Sequence, residues 1–154
     1  MKKSFICLVA VLFTLSVASS AFAAKCPQPR KTKSAPSNVA KMDKTGKADA
    51  AHGKALYTKK AKPMACKNCH GAKGDGAGKL GKALKPAPRN FTCAATMKKV
   101  SAGQMFHIIK KGSPGTGMVA HGKTLKDKDI WDVIKYIRTD LMKRSEERRV
   151  GKEC

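Results

Sequence analysis

The sequence predicts a small all-α domain with three to four short helices. Apolar residues recur at the helical period of 3.6 from about residue 127 to residue 141. A second segment starts with the pattern Ser-x-x-Gln at residues 101–104, which is typical of a helix N-terminus. No segment shows the alternation of a strand between clear turn signals. We therefore expect helices without a sheet.

The helical domain is predicted to span residues 49–143, between segments of different composition. Residues 1–23 begin with two lysines after the first methionine, continue with an apolar run and end in Ala-Phe-Ala, as a cleavable secretory signal peptide does. The run is shorter than the roughly 20 residues of a membrane span, so we expect a soluble periplasmic protein without stable membrane insertion. Residues 24–48 are rich in Lys, Pro, Ser and Thr and are predicted to form a flexible basic arm.

The last segment, residues 144–154, is charged, lacks an apolar period and ends on Cys154. It resembles the in-frame translation of a common sequencing adapter. We therefore predict that this tail is not part of the natural protein.

The charge of the chain indicates the kind of partner it meets. It has 33 basic and 10 acidic residues, a formal net charge of +23, which suits nucleic acid, an anionic membrane surface or an acidic protein. An exported protein rarely meets nucleic acid, and the lysines are not interleaved with stacking aromatic residues. We expect a monomer that docks transiently with acidic proteins, and no nucleic-acid binding; a role in solubility alone is the alternative.

The first helix of the domain is predicted to begin at Asp49, a favourable N-cap. Gly53 and Tyr57 follow it one turn apart. A glycine inside a helix costs about 1 kcal/mol relative to alanine. We therefore expect another helix to cross close to Gly53.

The chain carries the sequence CKNCH at residues 66–70, the c-type haem attachment signature. Two thiols three positions apart lie on one side of a helical turn, so both Cys66 and Cys69 can reach one porphyrin. The adjacent His70 can then bind the iron through one ring nitrogen. Half of a zinc site and a dithiol redox pair are the alternatives for this motif.

The segments after the motif complete the helical domain. Residues 71–81 are rich in glycine and are predicted to form a loop without helix or strand. In the second helix Ser101 and Gln104 are expected to form a capping box, and Gly112 is expected to end it. The closing helix is predicted over residues 127–141.

Met118 is the predicted sixth ligand of the iron. It lies in the Gly/Pro-rich loop 113–118, which can pass close to a haem and has little regular structure for a methionine to pack into. A second histidine ligand, His121, His107 or His52, stays open as an alternative. We otherwise expect His107 to be a half-buried packing residue, and His52 and His121 to be solvated.

Two further cysteines remain once the signal and the tail are set aside. A disulfide between Cys26 and Cys93 would hold the arm on the domain in an oxidising compartment, and two unpaired cysteines are the alternative. A bond between Cys66 and Cys69 would leave His70 without a role.

The order of these features resembles the bacterial class I, mono-haem c-type cytochromes. The likeness covers about residues 49–140: a Gly/aromatic helix, CxxCH, a loop ending in KPAPRNF, a Gly-Thr-Gly-Met loop and the closing helix. It implies a small cytochrome c fold around one haem c, with thioethers on Cys66 and Cys69 and with His70 and Met118 as axial ligands. Val119 departs from the family, which often has proline after the methionine.

The resemblance also implies contacts around the haem. Pro88, or failing that Pro86, would offer its carbonyl to the other ring nitrogen of His70. Arg89 would pair with a haem propionate unless it is simply solvated. Gly53 and Tyr57 would meet the last helix near Tyr136, which we therefore expect to cross the first helix.

Ligation by His70 and Met118 would leave no coordination site for a substrate. We therefore expect an electron carrier and not an enzyme, whereas a haem enzyme or gas sensor would need an open site. Methionine ligation and burial raise the potential, which suits transfer toward a high-potential acceptor such as a terminal oxidase. The alternative is a haem subunit of a larger periplasmic dehydrogenase or oxidase complex.

Overall fold

The computed structural model of the protein describes residues 25–29 and 32–142. The predicted signal peptide, residues 1–23, and the predicted non-natural tail, residues 144–154, lie outside these residues. Every regular element of the described part is helical, which confirms the all-α prediction. The six α-helices are α1 (Ser37–Ala40), α2 (Ala50–Ala55), α3 (Lys67–His70), α4 (Ala94–Met97), α5 (Ala102–Lys111) and α6 (Asp127–Tyr136). The one-turn helices α1 and α4 were not predicted.

Wider helical turns extend two of these helices. Residues Leu56–Lys60 continue α2 and residues Ile137–Leu141 continue α6, so the closing helical segment ends at the predicted residue. Short 3₁₀ turns cover Thr45–Lys47 and Gly81–Ala83. In the described part of the chain no helix is long and apolar enough to cross a membrane.

Helices α2 and α6 cross at close range, as the sequence predicts. A Cβ atom on Gly53 would overlap the backbone carbonyl of Asp132, so only glycine fits at this position. One turn further, the rings of Tyr57 and Tyr136 lie 5.4 Å apart. The close crossing therefore requires a glycine at position 53, and the contact between the Tyr57 and Tyr136 rings stabilises it one turn further on.

Asp132 joins the N-terminus of α2 to α6. Its fully buried carboxylate accepts hydrogen bonds from the Asp49 amide at 2.8 Å, from His52 Nδ1 at 2.9 Å and from Lys128 Nζ at 2.7 Å. Burial acts to raise the pKa of Asp132, but these hydrogen bonds outweigh it and hold the pKa below its usual value. His52, expected to be solvated, is half-exposed, and its Nδ1 is bonded to this carboxylate, so solvation describes only part of its surroundings.

Helix α5 begins at the predicted cap, but the expected capping box does not form. Ser101 Oγ accepts from the Gln104 amide at 3.1 Å. The Gln104 side chain turns away from the helix, where its Oε1 accepts from the Ala35 amide at 2.7 Å and its Nε2 donates to the Lys33 carbonyl at 2.9 Å. The Gln104 side chain therefore pairs with backbone groups of the N-terminal segment, and it is not available to the Ser101 amide as a capping box requires.

Part of the predicted arm packs on α5 through backbone contacts. Helix α1 lies so close that a Cβ on Gly103 would overlap the carbonyl of Val39. Ser101 Oγ also donates to the Ala40 carbonyl at 2.7 Å. Such contacts need few apolar side chains, so composition did not indicate them; the flexibility of residues 24–48 stays a prediction.

The core lies between α2, α5 and α6, and a disulfide closes the N-terminal segment onto it. Phe106 of α5 stacks on Trp131 of α6 with ring centroids 4.6 Å apart. Cys26 is bonded to Cys93, with Cα atoms 5.6 Å apart, so the structure decides between the two alternatives for these cysteines.

Candidate haem-binding site

An apolar cleft lies between α3, loop 84–91, α5, α6 and loop 113–121. Its lining is mostly apolar, with a few polar side chains among the apolar ones, as is typical of cofactor sites. The four predicted site residues, Cys66, Cys69, His70 and Met118, all line this cleft. They come from two segments almost 50 residues apart, so the fold brings the motif and the methionine loop to the same space.

Cys66 and Cys69 are free thiols. Burial raises the pKa of Cys66 to about 11 and also raises the pKa of Cys69, so both sulfurs keep their protons at neutral pH. Within the described residues the two cysteines belong to no group of three metal-ligating side chains, so the other half of a zinc site is not present there. Two free thiols suit thioether formation and equally suit a dithiol redox pair, and a visible spectrum distinguishes these two.

His70 is buried, and its ring is held by a hydrogen bond at its edge and by an aromatic ring stacked on its face. Its Nδ1 lies 3.0 Å from the Arg89 carbonyl, and its ring stacks on Phe91 with centroids 4.5 Å apart. Because a carbonyl only accepts, Nδ1 carries the proton and Nε2 of the neutral ring has a free lone pair. Burial lowers the pKa of His70 and so favours this neutral form.

The carbonyl on His70 belongs to Arg89, which corrects the prediction of Pro88 or Pro86. The Pro88 carbonyl instead accepts a hydrogen bond from Gln28 Nε2 at 2.9 Å. One step along the backbone reverses the direction of a carbonyl in extended chain, which spacing alone does not reveal. Arg89 donates from Nη1 to Gln28 Oε1 at 3.2 Å, and its predicted pairing with a propionate stays a prediction.

Tyr57 connects the helix crossing to the end of the motif helix. Its hydroxyl donates to the Gly71 carbonyl at 2.8 Å, directly after His70. Burial raises the pKa of Tyr57 above its usual value, so the group remains a donor. The α2/α6 crossing thereby fixes where α3 ends.

The glycine-rich loop folds back over the last carbonyls of α3. The amides of Gly76, Gly78 and Leu80 donate to the carbonyls of His70, Cys69 and Asn68, at 2.9, 3.1 and 2.9 Å. These are carbonyls that a helix end leaves without partners. A Cβ on Gly78 would overlap the Asn68 carbonyl. The glycines therefore allow backbone to cover the motif helix, a role that their spacing did not indicate.

Met118 lies in a loop stabilised by its own polar residues. The Met118 amide donates to Thr116 Oγ1 at 3.1 Å, and the Met118 carbonyl accepts from the Ser113 amide at 3.0 Å. Gly117 leaves room for the Leu84 side chain, which a Cβ would displace. The thioether is half-buried and packs against the core at the edge of the cleft.

His121 is buried, which corrects the expectation that it is solvated. Only 3 % of the residue is exposed, it lines the cleft, and its Nδ1 lies 2.8 Å from the Lys62 carbonyl. In the neutral form its Nε2 is then an acceptor, as in ligating histidines. His107 is half-buried, as predicted, and neither His107 nor His52 lines the cleft.

The donor set of the cleft fits a covalently bound haem. Two protonated thiols, the thioether of Met118 and the imidazoles of His70 and His121, each with Nε2 as an acceptor, share an apolar cleft. Gln28, which sequence reasoning missed, borders this site from the N-terminal segment; a lone glutamine in a Pro/Lys-rich stretch carries no pattern that could have marked it.

Comparisons with known proteins agree with this donor set. A family model described as Cytochrome c matches residues 50–140. A solved structure, the reducing HAO-like protein complex of Kuenenia stuttgartiensis, is similar with a TM-score of 0.50 and 25 % identity. The match covers 60 % of this chain and 43 % of that one, so the chain spans less than half of that relative. None of the curated proteins is significantly similar in sequence. The chain therefore belongs to the cytochrome c family and is a c-type cytochrome, which carries covalently bound haem c and transfers electrons.

Proposed function

We propose that this protein is a periplasmic, single-haem electron carrier in which His70 and Met118 are the axial ligands. The observation that carries the proposal is an apolar cleft whose lining includes two free thiols, an oriented imidazole and a thioether. When bound, haem supplies a one-electron ferric/ferrous couple. The protein would hold the haem in the apolar cleft, shield it from water and supply the side chains that bind the iron.

The proximal side residues act through position and protonation. Cys66 and Cys69 would each hold the haem through a thioether, because a free thiol can add across a vinyl group, with Sγ on one vinyl carbon and the thiol hydrogen on the other. The Arg89 carbonyl keeps the proton of His70 on Nδ1, which leaves Nε2 for the iron and raises the basicity of the ligand. Phe91 limits rotation of the ring by stacking on it.

Met118 on the distal side decides that the protein carries electrons without converting a substrate. If His70 and Met118 both bound the iron, no position would be left for oxygen or a substrate, and we therefore infer that the protein is not an enzyme. A thioether ligand in a buried site raises the potential. Such a carrier suits a high-potential acceptor, for example a terminal oxidase.

The surface around the cleft suits transient docking of an acidic partner to the monomer. Met64 and Val119 line the cleft and are 36 % and 44 % exposed, which gives a small apolar area at its open side. Without the predicted signal peptide and tail, which hold six of the 33 basic and three of the 10 acidic residues, the net charge is still +20. We expect association with an acidic partner to slow as ionic strength rises, because salt screens this attraction.

Specific observations favour two alternatives. His121 is buried in the cleft lining with its Nδ1 held by a carbonyl, which makes it the competing sixth ligand. The similar solved structure is a protein complex, which supports the alternative of a haem subunit in a larger periplasmic dehydrogenase or oxidase. Stable co-purification of a partner would distinguish that role from a free carrier.

Visible spectra of protein exported to the periplasm, oxidised and reduced, test the proposal. We expect sharp α and β bands on reduction, a weak near-infrared methionine–iron band on oxidation, and no carbon monoxide binding without denaturation. Loss of the near-infrared band in Met118→Ala but not in His121→Ala would assign the ligand. A protein without haem absorbance contradicts the proposal.

A further inference from the structure

Gln28 binds three consecutive residues of the loop that holds the proximal histidine. Its Oε1 accepts from the Asn90 amide at 3.0 Å and from Arg89 Nη1 at 3.2 Å, and its Nε2 donates to the Pro88 carbonyl at 2.9 Å. The two N–H donors of the loop thus meet the carbonyl oxygen of the Gln28 amide, and the one carbonyl of the loop meets its NH₂ group. The Gln28 backbone amide adds a fourth bond, to Thr96 Oγ1 at 3.2 Å.

Arg89, the middle residue of these three, orients the His70 ring through its backbone carbonyl. The Arg89 carbonyl is the partner of His70 Nδ1 at 3.0 Å, and Phe91, two residues later, stacks on the same ring. The peptide planes on both sides of Arg89 involve the Pro88 carbonyl and the Asn90 amide, the groups that Gln28 binds. Gln28 therefore limits the rotation of the one carbonyl that orients the imidazole.

The disulfide keeps Gln28 in this place. Cys26 is exposed and lies two residues before Gln28, whereas Cys93 is buried and lies three residues after Asn90. The bond between them closes a 67-residue separation, so the amide stays next to the loop at a high effective concentration. The disulfide thus adds a covalent link to the hydrogen bonds by which Gln28 holds segment 25–29 beside the loop.

We propose that Gln28, held by the Cys26–Cys93 disulfide, is a positioning residue that sets the hydrogen bond from His70 Nδ1 to the Arg89 carbonyl. This inference rests on the proposed haem ligation by His70. A stronger Nδ1 bond makes the imidazole a more basic ligand and favours ferric over ferrous iron. Loss of Gln28 weakens that bond, and the midpoint potential rises.

Gln28→Ala in the haem-loaded protein tests the inference by spectroelectrochemistry. We expect the ferric-to-ferrous ratio at a given potential to fall about threefold, an upward shift of roughly 28 mV at 59 mV per tenfold change. In the reduced protein, NMR is expected to show faster exchange of the His70 Nδ1 proton. The double variant Cys26→Ser/Cys93→Ser is expected to shift the potential in the same direction by less, because Gln28 is then present but untethered.

Ser101→Ala is the matched control, because Ser101 also bonds the N-terminal segment to the domain but does not line the cleft. We expect it to lower Tm and leave the potential and the proton exchange at wild-type values. A Gln28→Ala potential equal to wild type overturns the inference, even if Tm falls. If Gln28→Ala does not fold, an unchanged potential in the disulfide variant overturns it. A wild-type protein without a haem spectrum would instead be a failure of the proposed function.

Discussion

The two sides of the cleft hold their ligands in different ways. On the proximal side, His70 is surrounded by groups from distant parts of the chain: the Arg89 carbonyl, the Phe91 ring and, one residue beyond the histidine, the Tyr57 hydroxyl. On the distal side, Met118 depends mainly on bonds inside its own loop. His70 is thus held by the tertiary structure, whereas Met118, the proposed sixth ligand, is held by a local turn. Changes on the proximal side should affect folding, and changes on the distal side should affect ligation.

The largest effect is expected from Cys66→Ser/Cys69→Ser, which removes covalent attachment on the proximal side. The apoprotein should be largely unfolded, because a domain of this size buries little core of its own and the cleft lining would be left exposed to water. Far-UV circular dichroism during heating measures this. A cooperative thermal transition in the double variant would contradict the expectation.

Gly53→Ala tests the crossing that supports the proximal side. The added Cβ would overlap the Asp132 carbonyl, and since backbone cannot rotate away as a side chain does, we expect a loss of about 3 kcal/mol or more in unfolding free energy. Denaturant unfolding of the haem-loaded protein measures it. Gly46→Ala is the control, because a Cβ there meets nothing within 4 Å, and equal stability of the two variants would refute the close crossing.

Asp132→Asn tests the polar contacts behind the same crossing. Breaking a buried ion pair costs roughly 3–5 kcal/mol. We expect about 2 kcal/mol, because asparagine keeps the shape and the partner Lys128 is 68 % exposed and screened. The folded pKa lies below the ordinary 3.8, so the carboxylate stabilises the fold fully above about pH 4 and loses this contribution as pH falls through the folded pKa.

Unfolding free energies of wild type and Asp132→Asn, measured between pH 7 and pH 3, should therefore converge at low pH. A difference that stays constant over this range would show that the charge of Asp132 contributes nothing.

The smallest effect on stability is expected from Met118→Ala on the distal side. Its half-buried side chain leaves a partly open space, so we expect a loss of about 1 kcal/mol, with haem still attached. The change should appear in ligation instead, as carbon monoxide binding and loss of the near-infrared band. Val119→Ala is the control, since this neighbour is 44 % exposed. A collapse of stability in Met118→Ala would remove the contrast between the two sides.

The sequence by itself determined the local features of the protein. The CKNCH motif, the caps at Asp49 and Ser101, the end of α5 at Gly112 and the glycine at the helix crossing all depend on residues within a turn of one another. Local spacing therefore sufficed to predict them. It also named Met118, which lines the cleft, whereas its role as an iron ligand stays a prediction.

Only the tertiary structure decided which distant groups meet. It placed the Arg89 carbonyl and not that of Pro88 on His70, buried His121 against the Lys62 carbonyl, turned the Gln104 amide to the N-terminal segment, and joined Cys26 to Cys93. The partners in these pairs lie between 19 and 71 residues apart. A backbone carbonyl carries no sequence signal, and its direction depends on the path of the whole chain, so these contacts follow from the fold and not from the pattern of residues.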